Sequence, residues 1–386
     1  MRTYEQTHTW ISFRWEPRRL PYPVWLLLGE ATALVRMLGQ ASLPAGPAIE
    51  LERTARIRGI EAIAGMEGNT LTEEQVAQCL VGALKLPTSH AYLGQEIQNL
   101  AKALGWTEDR LRAGDRQFSP WSIQLLNAQV LQGLPWDEET SPGEYRSSNR
   151  ITAVQDGVPA EDITYLIERL CEWLTTERFT PDHEEEAHAF ALVRAMLAHL
   201  YLLWIRPFAD GNVRTAWLVT GQLLMEAGVP PFAVHRFFGH VGRVRRVWER
   251  EIASAGSGHG DPVPFIAFLS RLLKECLWSA TEDVETKQQD ALLSEHLHQL
   301  FGAGRSANGM RLKKLLESLN EQAGAVPHGR ITRINPDLAA IYARLDRKTL
   351  LRDIQHLQKQ GLVDRVAEGV VPKPTPLRAF RPLRTD

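Results

Sequence analysis

At 386 residues, 44% of them hydrophobic and 23% charged, the chain can bury a sizeable core and has neither a disordered nor a fibrous composition. Its formal charge of −2 hides an asymmetry: from Arg305 onward there are 16 Lys and Arg against 8 Asp and Glu, a local +8, leaving −10 for the first 304 residues. An acidic body with a basic appendage is the expectation.

The N-terminal stretch Met1–His8 lacks the apolar core of a signal peptide, and no run reads as an uncharged membrane span, so a cytoplasmic protein without a membrane partner is expected. Cys79, Cys171 and Cys276 lie too far apart for a disulfide framework or a structural zinc site. Apolar residues at helical spacing predict helices over Pro23–Leu38 and Ala48–Ala64. Thr72 followed by Gln75 reads as a capping box opening a helix over Glu73–Leu84, and further helices are expected over His90–Leu104 and Ser119–Leu131. The β-branched stretch from Tyr145 to Asp156-Gly157 suits a short hairpin. Helices follow over Asp162–Thr176, Glu184–Ile205, Val213–Ala227, Gly239–Ala253 and Pro264–Gln289. His183 with Glu184–Glu186 reads as a charged helix start rather than a metal site, and the basic, aromatic His235–Arg250 stretch as an amphipathic helix with a solvated arginine face.

The segment from Ala198 to Trp217 carries the chemistry. An apolar helix breaks at Arg206-Pro207, passes through Asp210-Gly211-Asn212, and re-enters an apolar helix. Gly and Asn permit backbone conformations in which successive N–H groups converge, and such a loop at a helix start is an anion cradle. Asp210 has the hard oxygens that suit Mg²⁺, and Arg214 is placed to reach a phosphate. Taken alone, the same residues also suit a capped helix–loop–helix corner.

This segment resembles the signature of the Fic (filamentation induced by cAMP), or Fido, family: His-Pro-Phe-x-(Asp/Glu)-Gly-Asn-Gly-Arg-x-x-Arg. Pro207, Phe208, Asp210, Gly211, Asn212 and Arg214 match it, the helix Phe190–His199 resembles the family's lead-in, and Pro142–Arg146 is similar to the stretch before its hairpin flap. The resemblance implies a mainly α fold: a Fic-type helical bundle with a short β-hairpin flap. It implies ATP and Mg²⁺ as cofactors, Asp210 as metal ligand, and Phe208, Gly211, Asn212 and Arg214 in nucleotide binding. It also implies AMP transfer to a protein hydroxyl, with the signature histidine as base.

Three positions depart. Arg206 stands where the family has its base, and a guanidinium does not accept a proton near neutrality. Val213 replaces the second glycine, and Trp217 the final arginine. Glu61–Thr70 is similar to the family's inhibitory motif, with Glu67 as blocking carboxylate; its usual arginine partner is absent, and two readings stand level, Arg206 or Arg214 as substitute and Glu67-Gly68-Asn69 as a helix end with a solvated Glu67.

The C-terminal part reads as a winged helix-turn-helix: a short helix over Pro336–Tyr342, a recognition helix from Arg347 to Leu357 with an apolar stripe of Leu350, Leu351, Ile354 and Leu357, then a strand and a wing over Val366–Phe380. Arg347, Lys348, Thr349 and Arg352 are the expected DNA contacts, with Arg330 and Arg333 on the backbone; docking or dimerisation is the competing use. The expected organisation is an N-terminal helical region over 1–105, a Fic domain over 106–301, a linker over 302–309 and the winged helix over 310–386. The function expected is a degenerate Fic protein, deficient in AMP transfer, that binds a nucleotide or protein partner and DNA, with a homodimer anticipated. The alternative is an active transferase with a base from elsewhere, such as His199 or the target itself.

Overall fold

The computed structural model describes residues 2–136, 138, 140–149, 157–176, 179–181, 183–257, 260–301, 307–322 and 324–373. It divides into two compact units, Met1–Val284 and Glu285–Asp386. In the first, the described helices are α1 (Tyr4–Thr7), α2 (Tyr22–Gln40), α3 (Ala45–Gly65), α4 (Glu73–Leu80), α5 (Ala91–Arg112), α6 (Pro120–Leu131), α7 (Ile163–Leu174), α8 (Ala187–Ile205), α9 (Asn212–Glu226), α10 (Pro231–Arg243) and α11 (Arg245–Ala255). The long helix α12 (Val263–Phe301) begins in this unit.

Local chemistry sets several of these ends. The Thr72 hydroxyl accepts from the Gln75 N–H at 3.3 Å while Gln75 Oε1 accepts from the Thr72 N–H at 3.0 Å, so the expected capping box opens α4. Ser119 and Ser122 do the same for α6, with Pro120 preset for the first turn. Helices α3 and α10 approach closely because small residues face each other: a Cβ added at Gly242 would lie 2.7 Å from the Ala62 Cβ, and one at Gly59 would lie 2.7 Å from the His235 carbonyl oxygen. That contact fixes where α3 ends, and the next turn carries Glu67.

Helix α8 is the centre of the core, with every residue from Ala195 to Ile205 buried. By length and apolarity alone, Glu184–Ile205 would suffice to cross a membrane; it is not uncharged, since it carries Arg194, and 83% of its apolar window is buried within the protein. Glu184–Glu186 form a short 3₁₀ turn ahead of it.

Two sequence expectations need correction in this unit. Gly239–Ala253 is two helices, because Val244 (φ −113°, ψ 26°) leaves the helical region between α10 and α11. Of the expected Tyr145–Gly157 hairpin, residues 150–156 lie outside the described residues, and Tyr145–Asn149 form no strand. The Arg146 N–H there donates to the Pro207 carbonyl at 2.9 Å, so the backbone serves the α8–α9 loop instead of a ladder.

The second unit contains α13 (Ala307–Asn320), α14 (Pro336–Ala343), α15 (Arg347–Lys359) and an antiparallel pair, β1 (Val363–Val366) with β2 (Gly369–Pro372). Val326 adds an isolated antiparallel bridge to Val370. Of the expected linker, 302–306 lie outside the described residues and 307–309 already belong to α13; the expected wing is described only as far as Lys373. The apolar stripe of α15 is Leu350, Ile354 and Leu357, whereas Leu351 is exposed. One residue further is about 100° around a helix, which carries Leu351 off the core face. Asp353 takes the inward position, ion-paired with Arg311 at 2.6 Å and accepting from the Tyr342 hydroxyl at 2.8 Å.

Candidate functional site

The site is the loop between α8 and α9. Arg206 caps α8 in a left-handed conformation (φ 47°, ψ 69°), which bulky residues adopt rarely. Two arginine–carbonyl interactions hold it there. The Arg146 Nε donates to the Arg206 carbonyl at 2.9 Å, and the Arg146 backbone secures Pro207. Burial, together with the nearby Arg206 charge, pulls the Arg146 guanidinium down to about 10, leaving it charged at neutral pH.

Asn212 then closes the loop on itself. Its Oδ1 accepts from the Phe208 N–H at 3.0 Å, and its Nδ2 donates to the Phe208 carbonyl at 2.7 Å. Gly211 sits at φ 73° before the first turn of α9, and its N–H donates to Asp210 Oδ1 at 2.6 Å. From α6, Asn127 Nδ2 donates to the Asp210 carbonyl at 3.0 Å, and its Oδ1 accepts from the Gly143 N–H at 3.0 Å. The left-handed conformation at Gly211 favours glycine, and a Cβ there would crowd that Asn127 Nδ2 at 3.1 Å.

The start of α9 holds an anion. Glu67, in the turn after α3, accepts from the Val213 N–H at 3.3 Å and ion-pairs with Arg214 Nε. Arg214 also reaches Glu96 at 3.2 Å and Asp210 at 3.4 Å, and its side chain is only 4% exposed. Burial disfavours its charge, yet the three carboxylates together raise it above the usual guanidinium range. Glu96 is pushed up as well, burial outweighing Arg214 and the Asn69 hydrogen bond. Of the two expected partners for Glu67, Arg214 is the one in contact. Arg206 lies near enough for Glu67 to favour its charge, while burial works the other way and lowers it. The Arg206 Nε donates to the Leu203 carbonyl at 3.2 Å.

Trp217 is fully buried, its Nε1 donating to Met66 Sδ at 2.9 Å within an aromatic group that includes Phe237, Phe238 and Trp248. Phe208 is buried too, against Tyr145 with ring centroids 5.7 Å apart. His199 cannot be the substitute base. It is fully buried, its Nε2 accepts from Trp248 Nε1 at 3.2 Å, and its Nδ1 bonds Thr220 Oγ1 at 2.9 Å. Burial pushes it down to about 3, so it is neutral and has no path to a substrate.

Residues 117–224 match the family model described as Fic/DOC family. The chain carries a Fic/DOC domain. Among similar proteins are the protein adenylyltransferase Fic of Nematostella vectensis, 27% identical over 239 residues (60% of this chain, 50% of that protein), and that of Drosophila melanogaster, 26% identical over 272 residues (68% and 50%). The chain thus spans about half the length of the curated relatives it matches. In fold it is similar to a Fic family protein from Desulfovibrio desulfuricans G20 (TM-score 0.55, 20% identity, 96% of both chains). It is also similar to Fic-1 (residues 134–508) of C. elegans (TM-score 0.56, 20% identity, 70% of this chain and 74% of that one).

Within the Fic loop, the fit to a nucleotide and Mg²⁺ can be judged from what the residues already hold. A carboxylate, itself an anion, occupies the Val213 N–H and the Arg214 guanidinium, which are the groups a phosphate oxygen would use. The Asp210 side chain is half exposed, leaving oxygen donors for a hard cation. The donor set fits, provided that Glu67 withdraws. Glu96, Asn69 and Asn127 belong to this arrangement and were not singled out from the sequence. Asn69, two residues after Glu67, had a positional hint; Glu96 had none.

Proposed function

We propose that this chain is a Fic-domain protein that has given up base-catalysed AMP transfer and keeps its loop as a Glu67-gated anion site, a regulatory rather than a transferase module. The single observation that carries this reading is Arg206. At the position of the family's base stands a guanidinium that remains protonated near neutrality, and loss of a general base costs on the order of 10²–10⁴ in rate. The burial of Trp217 supports it, because no cation extends from that position toward a third phosphate. ATP with Mg²⁺ is the ligand class that the loop chemistry suits, held by Asp210, Gly211, Asn212 and Arg214 beside Phe208.

The second unit supports a DNA-binding partner role of winged-helix type. Helix α15 starts with Asp346 accepting from the Lys348 N–H at 3.2 Å, and Lys348 and Arg352 are exposed while Thr349 is half-buried. The Arg347 side chain lies outside the described residues. Arg330 and Arg333 are exposed near the start of α14. This array suits phosphate contacts around a recognition helix. A cytoplasmic location and a homodimer remain part of the proposal.

A second reading is favoured by one observation: the loop backbone is fully held, and Asp210 stays half exposed, as a working metal ligand would. On that reading the chain is a transferase that draws its base from the target. Incubation with ATP labelled at the α-phosphate and Mg²⁺ separates the two, beside Arg206→His and Asp210→Ala variants. The regulatory reading expects no label on the wild type; label that disappears with Asp210→Ala would overturn it.

A further inference from the structure

Behind the turn that carries Glu67 lies a second cleft, of about 360 Å³, bounded by α3, α4, α10 and the start of α11. It is lined by Arg58, Glu61, Arg243 and Arg245 together with Gly65 and Met66. The three guanidiniums differ in availability. Arg58 is taken by Glu73, another lining residue, at 2.9 Å. The Arg243 side chain makes no ion pair or hydrogen bond with any described residue. Arg245 pairs with Glu249 at 2.8 Å, but both side chains are nearly half exposed, and such a pair holds a guanidinium weakly. Two arginines lining one cleft, one without an ion pair and one loosely paired, offer planar forks of N–H donors to the several oxygens of a phosphate. Glu61 faces the same space without a hydrogen-bond partner among the described residues. Burial, and then the charge of Glu73, push its carboxyl up against the pull of Arg243, so it suits a ligand hydroxyl better than a cation.

Arg245 also touches the gate. Its Nη1 donates to the Gly65 carbonyl at 3.0 Å, at the C-terminus of α3. The next residue, Met66, lines the cleft and accepts the Trp217 N–H, and the one after it is Glu67. The turn 65–67 is therefore gripped on one side by Arg245 and on the other by Trp217, Val213 and Arg214.

We infer that this cleft binds a small phosphate monoester bearing hydroxyl groups, its phosphate on Arg243 and Arg245, and that occupancy loosens Glu67 from the Fic loop. A phosphate dianion competes with the Gly65 carbonyl for Arg245, so binding removes one of the contacts that hold the turn. The coupling is reciprocal: an anion that displaces Glu67 at α9 also favours ligand in the cleft. The coupling rests on the proposed reading of the loop as an anion site; binding in the cleft does not.

Glycerol 3-phosphate is a suitable probe, with glycerol at matched ionic strength as control. It is titrated calorimetrically into the full chain, into Arg243→Ala and into Asp210→Ala, with amide exchange followed over residues 64–69 and at Val213. The expected result is binding that weakens at least tenfold in Arg243→Ala, is unchanged in Asp210→Ala, and speeds exchange at those amides. Binding kept undiminished in Arg243→Ala would place the phosphate elsewhere and overturn the cleft. Absence of binding to the wild type would overturn it too. Binding in the cleft with exchange unaltered would overturn the coupling while leaving the loop reading to its own labelling test.

Discussion

Glu67 and Arg214, 147 positions apart in the chain, form the ion pair that closes the Fic loop. Arg214 would otherwise be a nearly buried cation facing Glu96 and a partly exposed Asp210. The carboxylate therefore both neutralises the arginine and caps the first turn of α9. Replacing Glu67 with Gln keeps the shape and removes the charge. The expected outcome is affinity for ATP and Mg²⁺ raised about tenfold, worth ~1.4 kcal/mol. Calorimetric titration of wild type and variant checks it; equal affinities would mean that the gate is not closed by charge.

Asn212 supplies both hydrogen bonds that clamp Phe208. In Asn212→Ala a buried N–H and a buried carbonyl lose their partners, each costing about 1–3 kcal/mol. A loss of ~2–6 kcal/mol in unfolding free energy is expected, with Asn212→Asp intermediate because it keeps the acceptor. Denaturant titration gives the values.

Trp217 and Arg206 respond oppositely to restoration of the family residue. Trp217→Arg would bury a guanidinium beside Met66 and three aromatic rings, with no carboxylate described against that side chain. A loss of at least ~4 kcal/mol is expected, combining the lost aromatic packing with an unpaired buried charge. Arg206→His should fold with wild-type stability to within about 1 kcal/mol, because histidine tolerates the left-handed region better than most residues. Thermal melts of the two variants side by side check the contrast.

His199 makes stability depend on pH. Its folded value is about 3, below the ordinary 6.5, so the unfolded chain binds the proton more tightly. Its contribution is complete above pH 6.5 and is lost as pH falls toward 3, at about 1.4 kcal/mol per pH unit. His199→Gln removes this dependence. The slope of unfolding free energy between pH 6 and pH 4, on the order of that figure larger in the wild type, is the measurement.

Lys348 and Arg352 are expected to carry phosphate contacts if α15 enters DNA. Their double alanine variant should weaken duplex binding about uniformly across sequences and reduce the salt slope by about 2. Binding measured at several salt concentrations decides it; an unchanged slope would favour a docking role for the unit.

How much of this could be read from the chain depended on distance along it. The Pro207–Arg214 loop was legible because its groups are contiguous and its shape is made by its own residues, Gly211 and Asn212 above all. Helix existence was legible from apolar spacing, but ends were less so. Helix α5 runs to Arg112 and not to Leu104, straight through Gly105. It lies in mid-helix, where a Cβ would approach Arg56 Nη2 to 3.4 Å. The break at Val244 has no proline to announce it. Glu67 was recognised, but its partner remained open between two arginines, since only the packing of α3 on α10 decides where that turn lands. Glu96 and Asn127 could not be found, because their roles arise from α5 and α6 lying beside α9, which no local pattern encodes. Leu351 was misplaced for the opposite reason: a run of leucines hides that a polar Asp353 takes the inward position.

The left-handed residue at 206 has a wider consequence. The main chain at that point is secured by Arg146 through the carbonyls of 206 and 207, while the side chain of residue 206 itself reaches the Leu203 carbonyl. The position is thus a socket: what is plugged in can change from proton acceptor to cation while the wiring around it stays fixed. The side chain at 206 is the one part of the loop that can be exchanged while its backbone framework stays in place.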